Sequence, residues 1–264
     1  MVVWHWVQQH RLLSVLILAF VIVSSAGGTA YALVFRTVSS PVGLREALRI
    51  YRREQTEKKL QTLLNHLPSP GVYSYRTTGG ESLSIPGMDR SFPPTTSMIV
   101  TGGNCAGISW VPLTQHTETV TECAGRDGGF SVPRLVTQES IAGSDTTSTV
   151  ACPATAYLLP PGTTAGQKWS ATCALRSPAE KVGLAGEALG QSTMSIAGHS
   201  VSVEHTRVTL TFDGSQAGTN PTDFWIVPSN GLIVQEKEAV AVASGGVNYS
   251  ENMLSTLTSL SPLR

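Results

Sequence analysis

The hydrophobic rhythm of the chain changes twice. From Leu12 to Phe35 the run LLSVLILAFVIVSSAGGTAYALVF carries no charge over 24 residues. At about 1.5 Å per residue such a helix spans about 36 Å, enough for a hydrocarbon core of about 30 Å. From Pro41 to Leu67 the rhythm is that of one amphipathic helix. Leu44, Ala47, Leu48 and Tyr51 form an i, i+3, i+4, i+7 face that resumes at Leu60, Leu63, Leu64 and Leu67,. Pro68 and Pro70 end it,. After Pro70 apolar and polar residues alternate in short runs, separated by Gly, Pro, Asn or Asp at intervals of roughly ten residues, the spacing of an all-β meander, sandwich or barrel,.

Within that β region, Val72, Tyr73 and Tyr75 precede Thr77-Thr78-Gly79-Gly80, and Glu81 to Ile85 follow, which predicts two short strands around a Gly-Gly turn,. Val201, Val203, His205, Val208, Leu210 and Phe212 alternate with one register break after His205, where a bulge is expected,. Asn230-Gly231 predicts a tight hairpin with positive φ at both central residues,. The tail from Met253 is expected to be a last strand or a short helix. The fold class read from these patterns is mainly β: a strongly twisted antiparallel meander or open half-barrel, preceded by a transmembrane helix and a helical stalk. The expected divisions are an N-terminal segment 1–11, an anchor 12–35, a stalk 36–68 and a β-domain 69–264.

Charge sharpens this division. The chain has 18 basic and 18 acidic residues, so bulk charge gives no basis for nucleic-acid binding,. Residues 36–66 carry seven basic groups against Glu46, Glu54 and Glu57, and residues 67–264 carry a net −5. The basic stalk would place the C-terminal part on the cytoplasmic side by the positive-inside rule, but long domains translocate largely regardless of charge. The expected location is the cell membrane, single-pass, with the N-terminus inside and the β-domain extracytoplasmic. A second reading takes Leu12–Val23 as the core of a signal peptide cleaved near Ala32, giving a secreted protein,. The anchor is favoured because the apolar run continues through Leu33, Val34 and Phe35.

The four cysteines, Cys105, Cys123, Cys152 and Cys173, contain no C-x-x-C,. An even count behind an apolar segment reads as two structural disulfides in an oxidising compartment. Three connectivities exist; Cys105–Cys123 and Cys152–Cys173 are preferred because each pair flanks one apparent hairpin or loop. No H-E-x-x-H, G-x-S-x-G, P-loop or G-x-G-x-x-G occurs, and no catalytic residue, metal ligand or cofactor is assigned,. His116, Glu118 and Glu122 share one strand face, where a metal or an acid–base pair would have to assemble; a solvated polar face is the expected state. His205 is expected to be partly buried with a hydrogen bond. Trp110, Trp169, Phe224 and Trp225 are the candidate lining of an apolar cavity, against the alternative of ordinary core packing,.

The segment Gly71-Val72-Tyr73-Ser74-Tyr75-Arg76-Thr77-Thr78-Gly79-Gly80-Glu81-Ser82 resembles a family of actinobacterial membrane-anchored extracytoplasmic proteins. The likeness continues through Phe92-Pro93-Pro94-Thr95-Thr96 and the paired cysteines to Asp223-Phe224-Trp225-Ile226-Val227-Pro228-Ser229-Asn230-Gly231-Leu232. It implies an envelope location and brings no activity. The segment Met194–Val201 with the Trp–Pro–Asn-Gly–Leu hairpin is similar in pattern to the half-barrels of the LolA-like and LppX-like lipid carriers. That resemblance implies a non-enzymatic envelope protein binding a lipid or other apolar ligand in an open β-barrel. The alternative is a structural or protein-interaction module with a filled core. The expected partners are the membrane through residues 12–35 and an apolar ligand or an envelope protein.

Overall fold

Alternation of buried and exposed side chains builds fourteen strands: β1 (Gly71–Leu83), β2 (Arg90–Ser91), β3 (Thr95–Thr101), β4 (Ala106–Leu113), β5 (His116–Ala124), β6 (Phe130–Ile141), β7 (Ser144–Ala151), β8 (Tyr157–Leu159), β9 (Lys168–Arg176), β10 (Ala179–Ile196), β11 (His199–Asp213), β12 (Gln216–Ile226), β13 (Ile233–Ser244) and β14 (Val247–Leu257). One helix, α1 (Leu44–Glu57), precedes them. The computed structural model describes residues 39–57, 66–85, 89–141, 144–176 and 179–264. The expected anchor 12–35, the segment 1–11 and part of the stalk lie outside the described residues. Among the described residues no helix is long and apolar enough to cross a membrane.

All pairings are antiparallel, and chain neighbours are sheet neighbours along most of the order. The expected open half-barrel is instead closed. β1 pairs with β14 from Tyr75↔Leu257 to Leu83↔Tyr249, which leaves a barrel of 12 strands with β2 and β8 as additions. Closure removes the two exposed edges that an open meander would present to other chains. The expected turn at Gly79-Gly80 is absent: β1 runs straight through it. A Cβ on Gly79 (φ +120°) would lie 1.9 Å from Asn252 O, and one on Gly80 would lie 2.4 Å from Arg90 O. The glycines serve close approach to β14 and β2 rather than reversal of the chain.

The outer wall carries exposed charges, among them Arg76, Arg134, Lys181 and Lys237, where a membrane-spanning barrel presents an apolar band, and the interior is mostly apolar with buried carboxyls among the apolar side chains. One core cluster gathers Tyr73, Tyr75, Trp110, Val203, Val234 and Leu257 among others; a second gathers Phe130, Leu175, Leu184, Val208, Phe224 and Ile226. α1 lies against the wall through Ala47 and Tyr51, which pack with Val42, Val72, Ile99 and Val111. Pro41 bridges to Leu113, and Val42 N–H donates to Pro112 O, fixing the approach to the helix.

Two further local differences have clear causes. The bulge expected on β11 lies on its partner: the ladder shifts between Ala188 and Gly190 of β10, leaving Leu189 as the extra residue,. Tight hairpins with two positive-φ residues are Ala197-Gly198 (φ 50° and 82°), between β10 and β11, and Gly245-Gly246 (φ 57° and 82°), between β13 and β14,. At Asn230-Gly231 only Gly231 is left-handed (φ 72°), and the Asn230 side chain accepts the Leu232 N–H at 3.1 Å instead,. The tail forms β14, whose continuation bridges back from Leu263 to Val72.

Candidate functional site: a carboxyl-rich barrel interior

Successive even positions of β5 point inward, so His116, Glu118, Val120 and Glu122 line the interior. The expected solvated face is therefore corrected: His116 is 1% and Glu122 0% exposed. Barrel closure turns this face towards the opposite wall, where Glu81 of β1 and Glu251 of β14 also point inward. The residues grouped in the sequence separate into two places. His116 and Glu118 meet at 3.6 Å (Nε2 to Oε1). Glu122 lies elsewhere, against Gly231 and Phe130, where a Cβ on Gly231 would come within 2.1 Å of its Oε1.

Around His116 the geometry is specific. Nδ1 lies 2.7 Å from Glu81 Oε2 and 3.2 Å from Glu139 Oε1. A carboxylate only accepts, so Nδ1 carries the proton and donates. Arg90 Nε pairs with Glu81 Oε1 at 2.5 Å, and its Nη1 donates to Ser140 O. Tyr249 O–H lies 2.9 Å from Glu81 Oε2 and 2.6 Å from Glu251 Oε2. Phe92 and Trp110 present ring edges around His116, at centroid distances of 6.1 and 5.5 Å. Their packing holds the imidazole in place and keeps water from that side.

Electrostatics follows from burial and neighbours. Burial opposes the imidazolium form of His116, but Glu118, Glu139 and Glu81 outweigh it and hold the group well above its ordinary range,. Burial also opposes ionisation of Glu81; His116, Arg90 and Tyr249 outweigh it and keep this carboxyl below its ordinary value. Glu251 has no such surplus of partners. Burial pushes it up to about 8. Glu238 is raised well above the usual range by burial and by Glu118, Glu251 and Glu236, although Asn220 Nδ2 donates to it at 2.6 Å. Burial alone pushes Glu122 up to about 8, and neither of its oxygens has a hydrogen-bond partner.

Between the two core clusters lies a cavity of about 90 Å³. Its walls are apolar, including Ile108, Val132, Leu184 and Val208, with Glu118, Glu236, Glu238 and Asn220 at the polar end. Of the four aromatic candidates, Trp110 and Phe224 line it. Trp169 lies across the Gly186 backbone and donates to Tyr157 O at 2.9 Å. Trp225 stacks on His205 with centroids 4.1 Å apart, and His205 Nε2 lies 3.2 Å from Asp223 Oδ1. The cysteines form Cys105–Cys123 and Cys152–Cys173, each with Cα atoms 4.3 Å apart. Both link directly opposed residues at the end of a ladder, next to Ala106↔Glu122 and Ala151↔Ala174 respectively.

Sequence reasoning missed Glu81, Glu139, Glu236, Glu238 and Glu251. Each sits in a polar stretch of an alternating run, such as Gln138-Glu139-Ser140 or Gln235-Glu236-Lys237-Glu238, where a glutamate reads as an outward residue. A faint signal existed: Glu236 and Glu238 share one parity, as do Glu118 and Glu122, and the same parity in β5 carries Val120.

Fold and site together define a closed antiparallel β-barrel whose interior is apolar around a small cavity and rich in carboxyls at one end. No protein-family model matches the chain, and no curated protein matches it. Among solved structures it is similar to the hypothetical lipoprotein YmcC from Escherichia coli (K12), at 13% identity and a TM-score of 0.35. The alignment covers 81% of this chain and 97% of that one.

Proposed function

We propose that the protein is a non-enzymatic envelope-binding module that holds a small apolar or amphiphilic ligand inside its barrel. The observation that carries this reading is the cavity: apolar walls with a few convergent polar groups at one end, the usual make-up of a ligand site,. Its volume of about 90 Å³ decides the ligand class. Sites for drug-sized ligands run to about 300–1,000 Å³, so a whole lipid is too large and a small amphiphile, or one chain end, fits. The two disulfides and the uncharged run 12–35 support an extracytoplasmic location at the membrane,.

The wall is thinnest in pairing beside the cavity. β7 and β9 share only the pairs Val150↔Leu175 and Ala151↔Ala174, and Val150, Cys152, Tyr157 and Leu158 beside that seam line the cavity. The experiment is native mass spectrometry of the full chain released in mild detergent, compared with Val208→Phe, which fills the cavity. A bound small molecule on the wild type that Val208→Phe loses is the expected result. An unliganded mass for the wild type overturns the reading. The second reading, an interaction module, draws on the outer edge of Ser144–Thr149, which has no ladder partner among the described residues. A partner strand could add there, and cross-linking from Asp145 to an envelope protein tests it.

A further inference from the structure

The interior holds more carboxyl groups than cationic partners. Glu81, Glu118, Glu139 and Glu251 surround His116, Glu236 and Glu238 lie near Glu118 and Glu251, and Arg90 is already committed to Glu81. Glu251 is 1% exposed, and its Oε1 has no hydrogen-bond partner. His116 Nε2 is also buried without one, and it faces Glu118. His116 and Glu251, on strands four places apart around the wall, each bring one donor atom to the same group and each keep one buried unpartnered atom.

We propose that His116 Nε2, Glu118 and Glu251 bind a divalent first-row transition-metal ion, with Glu81 as the carboxylate that orients the histidine. One donor atom from each of the three ligands lies within 4.8 Å of the others. Two donors on a tetrahedral ion with arms of about 2.1 Å are about 3.4 Å apart, and the His116–Glu118 separation is 3.6 Å. The Nδ1–H to Glu81 contact at 2.7 Å leaves Nε2 as the nitrogen for the ion, which displaces its proton, the carboxylate–histidine–metal arrangement that fixes tautomer and ring direction,. An imidazole with carboxylates suits Zn²⁺, Fe²⁺ or Mn²⁺ over Ca²⁺ and Mg²⁺, and no thiolate competes because all four cysteines are in disulfides,. The side chains of Glu118 and Glu139 remain 19% and 14% exposed, whereas His116 is fully buried.

This site shares Glu118 with the cavity wall but does not rest on the ligand reading, because the ion needs no organic ligand in the cavity. The test uses the full chain in mild detergent, stripped with EDTA, then titrated calorimetrically with Zn²⁺ and followed by visible absorption with Co²⁺. Binding of one ion, with Co²⁺ bands of a low-symmetry nitrogen–oxygen site, is expected. Glu118→Gln and Glu251→Gln should each weaken Zn²⁺ binding at least tenfold, and Glu81→Gln by about 10–100-fold as an orienting partner. Glu118 is partly exposed, so its variant keeps the test decisive if Glu251→Gln misfolds; circular dichroism identifies a misfolded variant. Absence of stoichiometric binding by the folded wild type overturns the proposal. So does Zn²⁺ affinity unchanged in Glu118→Gln, which would place the ion on another histidine.

Discussion

At the residue scale the most informative position is Glu122. Its carboxyl is fully buried with no hydrogen-bond partner, so it folds in the neutral form with a pKa of about 8. The unfolded chain releases this proton near pH 4.5. Stability contributed by the neutral carboxyl is therefore fully present below about pH 4.5 and is lost as pH rises towards 8. Glu122→Gln removes that dependence. In urea melts it should match the wild type at pH 4 and exceed it at pH 9 by on the order of 4 kcal/mol; parallel pH profiles for the two proteins would refute the assignment. Ala197 makes a second residue-scale case. It holds φ 50° in a hairpin tip without the freedom of glycine. Ala197→Gly should raise stability by about 1 kcal/mol, read as a higher melting temperature.

Elements explain where the barrel is weak. Most neighbouring wall strands pair over long ladders, whereas β7 and β9 meet over two residue pairs next to Cys152–Cys173. Cys105–Cys123, by contrast, sits on the longer β4–β5 ladder. Replacing Cys152 and Cys173 together with serine should cost roughly 3 kcal/mol in the chain-entropy account. It should also speed hydrogen exchange selectively in β7 and β9. The matching Cys105/Cys123 double variant should lose comparable stability without local opening of its ladder. α1 offers a different lesson. Ala47 is 0% exposed between helix and wall, and an aspartate there would be buried without a partner. Ala47→Asp should release the helix at a cost of about 2–3 kcal/mol while near-ultraviolet circular dichroism of the barrel persists.

For the whole molecule, closure is the controlling event. The β1–β14 ladder joins the first long strand to the last, across the full length of the β-domain. Ending the chain after Ser244 would leave two unpaired edges and open the carboxyl-rich interior, so that truncation should aggregate during expression. Starting the chain at Ser39 should not, because residues 39–264 form a compact unit of their own; a cooperative melt of that fragment checks it. Much of the architecture was legible. Helical periodicity located α1, and period-two alternation located most strands. β10 was harder: Ala179–Leu189 is rich in Ala, Gly and Glu, poor strand formers, and pairing on both sides overrides that preference,. The Gly79-Gly80 pair misled for a related reason, since glycine marks a close approach as readily as a turn.

The sequence by itself determined the local periods and the class: an uncharged run, an amphipathic helix and a region of antiparallel strands. These follow from side-chain spacing and from the chemistry of turns, which act over a few residues. Tertiary structure alone decided that the sheet closes and that a polar strand face turns inward. It also decided that glutamates from β1, β5, β6 and β14 gather around one histidine. Alternation tells which residues share a face but not which face meets water. Only closure of the barrel, an interaction between residues nearly two hundred positions apart, makes that choice.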